Sequence, residues 1–440
     1  MSKSVRVMQF LSFSHEHARV PASDVEKMLS TLSDSSERLG KAAEDASYSH
    51  PNSFMYTPFD ATILDQAMAY ASLYAKPDTV VLVGMGGSSL GVRAVMSALQ
   101  DTEASTSPNM YYADTLDEDL LNELLSKVEQ QLRDQKSVLV IVVSKSGKTL
   151  ETVINASFFI KLLERYNQSL TKSVVVITDA NSPLEDFALT HSIRVLPIPN
   201  EVGGRYSVFT SAGLFPLAVM GVDINALCRG AQSVLQKKKT ADSPSLVAYE
   251  SALSATLIFY HYTHGIAIHD FFTFEPELAA LGAWYRQLIG ESLGKHMAVP
   301  PYTPVGITPT VSVGTSDLHS VLQLYLSGPR STYTTFVYQS QKEEAMKIPS
   351  IDGLTPSFLA DKTIEKVKDA IFKGVTDAYQ EQERPFSMAY FSTRCPEAVG
   401  EFLYGKMIEM VYLGSLLQVN PFNQPQVELY KKKALQILTL

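Results

Sequence analysis

The sequence predicts an α/β fold of two units built on parallel sheets, unequal in clarity, with helical arms at the two ends. Three observations predict it. Short β-branched runs alternate with helical patterns from Thr79 to Ile198, the rhythm of a doubly wound parallel sheet covered on both faces. A weaker group of strand-like runs recurs at Thr310–Val313, Thr335–Val337 and Phe386–Tyr390. A chain of 440 residues is also too long for one ordinary core, and its length alone suggests about three units, or two with extensions.

Residues 1–50 read as polar and helix-prone, with Ser23 and Glu26 spaced as a capping box before an amphipathic segment. Pro51–Pro58 then marks a turn or boundary. Thr79–Val83 is a strand, followed by a glycine cluster and a helical pattern. Asn109–Tyr112 is a second strand, Leu116–Asp134 a helix, and Val138–Val143 a strong buried strand. A helix through Thr152–Leu163 and strands at Ser173–Ile177 and Arg194–Ile198 complete the series. Residues 206–300 are mostly helical by pattern, and Gln339–Pro356 suits a surface excursion. The tail from Gly400 has long helical periodicity, interrupted at Asn420–Pro425.

Composition excludes several classes. Hydrophobic residues at 45% and charged residues at 19% are ordinary globular usage. A net charge of −9 disfavours nucleic acid and anionic membrane as partners, so an anionic ligand needs a local site. Two cysteines build neither a disulfide framework nor a four-thiolate metal site. The first twenty residues lack the apolar core of a signal peptide, and no run spans a membrane, so a cytoplasmic protein is expected.

Two loops carry the chemistry. Gly84-Met-Gly-Gly-Ser-Ser-Leu-Gly91 lies between a strand and a helix, where glycines permit close backbone approach and helix N–H groups face an anion. Ser89 stands where a dinucleotide fingerprint needs glycine. Gly87-Ser-Ser-Leu-Gly91 fits a hydrolase nucleophile elbow with Ser89 as nucleophile, though no His-Gly oxyanion motif lies upstream. Ser144-Lys-Ser-Gly-Lys-Thr149 follows the strongest strand and opens a helix; Val142 stands where a P-loop needs glycine. What remains is a set of hydroxyls and N–H groups suited to a phosphate monoester, or merely a capped helix. Together, at the ends of neighbouring strands, the two loops point to a small phosphorylated ligand.

Taken in order, these loops and Gly203-Gly-Arg-Tyr-Ser-Val208, Gly290-Glu-Ser-Leu-Gly-Lys295, Thr315-Ser-Asp-Leu-His-Ser320 and Asn423-Gln-Pro-Gln-Val-Glu-Leu-Tyr-Lys431 resemble the phosphoglucose isomerase family, in its shorter form. The resemblance implies two sugar-isomerase (SIS) domains, each a three-layer α-β-α sandwich. The division is then an N-terminal extension at 1–50, a first domain at 51–220 with the phosphate loops, a second at 221–420 with the catalytic Glu and His, and an arm at 421–440. It implies reversible conversion of glucose 6-phosphate to fructose 6-phosphate through a cis-enediolate, in glycolysis and gluconeogenesis, without metal or other cofactor, by a homodimer.

Residue by residue, the resemblance implies that Ser144, Lys145, Ser146 and Thr149 hold the phosphate, Lys145 largely through its backbone. Gly87 and Ser88, with Gly204 beside Arg205, lie near the sugar. Arg205 stabilises the enediolate and Glu291 moves the proton between C2 and C1. His319, supplied across the dimer interface, opens the ring. Gln424 contacts the phosphate and Lys431 the ring oxygen. The chemistry is coherent: one carboxylate shuttles the proton if a fixed cation stabilises the charge, and a histidine suits ring opening near neutral pH.

Each residue also has a plainer account. Glu291 with Lys295 fits an i, i+4 surface pair, Arg205 a turn cap, His319 a core histidine, and Lys431 a solvated basic face. A non-catalytic sugar-phosphate sensor needs the phosphate loop but not Glu291, His319 or Lys431, and their joint presence favours catalysis. Relatives that also isomerise mannose 6-phosphate tend to carry threonine where Gln424 stands, which favours glucose and fructose specificity. His261, His264 and His269 are expected on a helix, with no acidic or thiol set to complete a metal site. Lys148 adds an unusual cation beside the phosphate loop, and Pro425-Gln426 departs from the family's usual Trp-Gly.

Overall fold

The computed structural model describes residues 10–74, 76–99, 108–236, 245–339 and 346–439. The chain enters through β1 (Leu11–Ser14) and two helices, Ala22–Ser30 and Ser33–Glu44. Five strands follow: β2 (Thr79–Val83), β3 (Asn109–Ala113), β4 (Val138–Val143), β5 (Val174–Thr178) and β6 (Arg194–Pro197). They form one wholly parallel sheet in the order β3-β2-β4-β5-β6.

Burial on both faces explains why these strands are continuous apolar runs rather than alternating ones. Leu139, Ile141 and Val143 of β4 face one core, while Val138, Val140 and Val142 face another. All six are buried, and each such side chain contributes roughly 1.5–3 kcal/mol relative to exposure.

The second sheet is built from β7 (Ile268–Thr273), β10 (Thr308–Val313), β11 (Thr332–Gln339) and β12 (Phe386–Phe391), with a small hairpin of β8 (Lys295–His296) and β9 (Pro304–Val305) between β7 and β10 in the chain. Its order is β1-β12-β11-β7-β10, parallel except for β1, which pairs antiparallel with β12. Phe272, Phe274, Phe336 and Phe386 fill an aromatic core on its outer face. The largest core lies between the two sheets and takes residues from both, together with helices Ser211–Val219, Tyr249–Thr263, Ala279–Leu293 and Pro396–Leu416.

The α/β class with parallel sheets is as expected, but several elements differ. Residues 206–300 are not all helix: β7 lies between β11 and β10 in the second sheet and carries His269, so the three histidines do not share a helix. His261 lies in the last turn of one, its Nε2–H donating to the Ala18 carbonyl at 2.8 Å, and His264 caps it. The N-terminal region includes strand β1, and Ser23 caps nothing; the helix opens at Ala22 behind Pro21 without a side-chain cap. Of the excursion expected at Gln339–Pro356, residues 340–345 lie outside the described residues, as do residues 1–9 of the leader reading. Among the described residues, no helix is long and apolar enough to cross a membrane.

Candidate active site

Both glycine-rich loops leave the C-terminal ends of adjacent strands, β2 and β4, where open α/β sheets bind ligands. After β2 the chain makes a tight turn over Gly86–Ser88, with Gly86 in the left-handed region at φ +55°. Gly87 presses backbone against backbone: a Cβ there would lie 2.2 Å from the Gly204 carbonyl carbon and 2.6 Å from the Arg205 nitrogen. Glycine is therefore required for the two loops to touch. Ser88 stands half-buried at the end of this turn. Ser89 is fully buried, its hydroxyl 3.3 Å from the Gly86 carbonyl, and so lacks the exposure that an elbow nucleophile needs.

After β4, Gly147 turns the chain at φ +65°, its N–H donating to the Ser144 carbonyl at 3.1 Å. Ser144 Oγ donates to Thr149 Oγ1 at 3.1 Å, and Ser146 Oγ accepts from the Lys148 N–H at 3.3 Å. Thr149 is the N-cap of helix Leu150–Arg165 but makes no capping bond to it. The first-turn N–H groups of that helix are left for an outside acceptor, the arrangement that attracts an anion. The Lys145 ammonium turns away to the carbonyls of Asn200 and, at 3.1 Å, Val202, so what this residue offers the loop is its backbone.

Arg205 is the centre of the arrangement. Its side chain is 1% exposed, yet every donor has a partner. Nε donates to Ser292 Oγ at 2.9 Å, Nη1 to Glu291 Oε2 at 3.3 Å and to Gln424 Oε1, and Nη2 to the carbonyls of Pro421 and, at 3.3 Å, Asn423. A buried guanidinium is costly unless so satisfied. The segment 421–424 thus wraps the cation and brings Gln424 beside Glu291. Glu291 projects from helix Ala279–Leu293, and Gln287, one turn earlier, donates to its Oε1 at 3.1 Å.

Lys295 closes the far side, donating to the Ser292 carbonyl at 2.9 Å and to the Asn420 carbonyl. Burial, then the charge of Arg205, pull its pKa down to about 7, against the opposing effect of Glu291.

The structure therefore brings Gly87, Gly204, Arg205, Glu291 and Gln424 together, and sets Ser144, Lys145, Ser146 and Thr149 on the neighbouring strand end. Two residues stand apart. His319 is exposed on the turn Ser316–His319 after β10 and makes no hydrogen bond or ion pair among the described residues. Lys431 pairs with Glu428 at 2.7 Å on helix Val427–Leu438, which buries none of its residues. Sequence reasoning missed Gln287, Ser292 and the role of Lys295. Gln287 was accessible as the i−4 neighbour of Glu291 on a helix. The carbonyls of Pro421 and Asn423 carry no sequence signal.

The family model described as phosphoglucose isomerase matches residues 72–439. The chain is 31% identical over 382 residues to glucose-6-phosphate isomerase of Thermus thermophilus, covering 86% of this chain and 88% of that one. It is 32% identical over 375 residues to the Clostridium novyi enzyme of the same name, covering 82% and 80%. Among solved structures, a hypothetical protein from Thermus thermophilus superposes with a TM-score of 0.84 at 29% identity, covering 97% and 99%. Glucose-6-phosphate isomerase of Chlamydia trachomatis shares the fold, with a TM-score of 0.80 at 19% identity over 98% and 89%.

Proposed function

The chain belongs to the phosphoglucose isomerase family, and from that premise we propose that it interconverts glucose 6-phosphate and fructose 6-phosphate through a cis-enediolate. The observation that carries this is the buried Arg205 guanidinium held between Glu291 and Gln424, beside an uncapped helix N-terminus. A base next to a fixed cation is what moving a carbon-bound proton requires.

The phosphate binds on the N–H groups and hydroxyls of Ser144, Ser146 and Thr149, with Gln424 contributing, and the sugar lies over Gly87, Ser88 and Gly204. Glu291 takes the proton from C2 and returns it to C1, and Arg205 stabilises the enediolate. All five N–H groups of Arg205 are already engaged, so a substrate oxygen must replace Glu291 or Gln424 on Nη1. Where it replaces Glu291, release of that carboxylate from Arg205 coincides with substrate entry and frees the base to act. Neither proton transfer requires a metal or redox cofactor.

Ring opening falls to His319 and Lys431, and a homodimer supplies what one chain lacks. Helix Val427–Leu438 exposes Leu429, Tyr430, Ile437 and Leu438 at 56–72%, and a twelve-residue helix with no buried face is marginal alone. Covering it with a second copy, which also lends its His319, accounts for both isolated residues. Such an enzyme serves glycolysis and gluconeogenesis in the cytoplasm.

The test is a coupled assay of glucose 6-phosphate formation from fructose 6-phosphate, in chelator, with wild type and Glu291→Gln. Activity in the wild type and a loss of at least about 100-fold in the variant are expected. An inactive wild type or a fully active variant overturns the proposal.

A further inference from the structure

We propose that Asp270 is a positioning residue for His319, fixing the turn that carries the histidine by gripping both of its flanks. This rests on the ring-opening role given to His319 above.

Asp270 lies mid-strand in β7, second from the edge of its sheet, and is 0% exposed. Its Oδ1 accepts three hydroxyls: Thr310 Oγ1 at 2.6 Å, Ser312 Oγ at 3.0 Å and the Tyr325 phenol at 3.3 Å. Thr310 is its register partner on β10, and Ser312 lies two residues on, so both side chains share one face of the sheet. Tyr325 belongs to helix Leu322–Ser327, and its phenol also lies 3.2 Å from Ser312 Oγ.

Everything between Ser312 and that helix is the segment that carries His319. Asp317 closes the same segment from within, with Oδ2 accepting from the Val313 N–H and Oδ1 from Ser320 Oγ, both at 2.7 Å. His319 has no hydrogen bond of its own among the described residues, so its orientation is inherited from the turn. The remaining oxygen of Asp270, Oδ2, is buried without a partner among the described residues. A buried carboxylate with one oxygen unpaired is an expensive way to fill space, and leucine or asparagine would pack a strand interior at less cost. The gain from the acid is three hydroxyl contacts, the one from Thr310 short, that join β7, β10 and the helix after the turn.

The experiment is a double-mutant cycle on the full chain: Asp270→Asn, Tyr325→Phe and His319→Ala, singly and with each of the first two combined with the third. Steady-state kinetics are measured in both directions, with circular dichroism melts alongside. Asp270→Asn is expected to lower kcat about tenfold and Tyr325→Phe about threefold, with KM changed less than twofold and no further loss in the His319→Ala background. A residue that merely supports folding would lower activity equally in both backgrounds.

Equal losses in both backgrounds overturn the proposal, as do fully active Asp270→Asn and Tyr325→Phe variants beside an impaired His319→Ala. Should Asp270→Asn fail to fold, Tyr325→Phe, which removes one hydroxyl from the same cluster, decides alone. A fully active His319→Ala refutes the catalytic reading of that histidine and this proposal with it.

Discussion

Gly87→Ala is a single added methyl group with a large predicted cost. The new Cβ would stand 2.2 Å from the Gly204 carbonyl carbon, 2.3 Å from its oxygen and 2.6 Å from the Arg205 nitrogen, all of them backbone atoms. Ordinary contact begins at 3.4 Å, so one loop must retreat by about 1 Å. Overpacking of this kind costs about 1–3 kcal/mol of stability. The displaced backbone is that of Arg205, whose five donors are set on five acceptors, and a shift of about 1 Å in such a site costs roughly 100-fold in rate. The assay is kcat by coupled spectrophotometry, with thermal melts on the same preparations. Gly374→Ala is the matched control: it lies in helix Ile364–Glu381, where an added Cβ meets nothing within 4 Å. That variant should keep full activity and gain up to about 1 kcal/mol from helix propensity. A Gly87→Ala enzyme with wild-type kcat and an unchanged melt would refute the claim that the two loops are locked by close backbone contact.

Other perturbations follow from named groups. Burial holds the His261 imidazole down at about 4 against an unfolded value of 6.5. The unfolded chain therefore takes up the proton first, and this stability is intact above pH 6.5 and lost as pH falls towards 4. The loss is about 3 kcal/mol at its limit, and melts from pH 7.5 to 5 should be less steep in His261→Gln than in wild type. The Lys295 ammonium, with a pKa near 7, should impose a fall in kcat/KM above that pH as a cation beside an anionic substrate is lost. Lys295→Met should lower kcat/KM at pH 6 and flatten that limb, and an unaltered pH profile would count against it. Lys148 is exposed beside the phosphate loop, so Lys148→Ala should raise KM severalfold at low salt and converge on wild type at high salt. The same KM for both proteins at every salt concentration would dispose of a role for that charge.

Where burial alone decides an element, it could be read in advance. β4 was legible because all six of its residues are apolar and buried on both faces, and the loops after β2 and β4 because glycine has few other reasons to sit there. β7 was not, because His269 and Asp270 interrupt its apolar run. Both are buried polar residues hydrogen-bonded to distant partners, Thr335 for the first and Thr310 for the second. β1 is a four-residue edge strand that exists through its pairing with β12, nearly four hundred residues away, and no local pattern announces such pairing. In the site, Arg205 and Glu291 were legible through motif order. The grip on Arg205 was not, since Pro421 and Asn423 act through backbone carbonyls that any residue possesses.

The central claim is that Glu291 moves a proton between C2 and C1 of a sugar phosphate. Its most direct test is the rate of deuterium incorporation at C2 of glucose 6-phosphate in deuterium oxide, followed by proton NMR, for wild type and Glu291→Gln. Wild type should exchange and isomerise. The variant should lose both by at least about 100-fold while still binding fructose 6-phosphate in a calorimetric titration. Exchange at the wild-type rate in Glu291→Gln would contradict the account, because the proton would then be moving through another base.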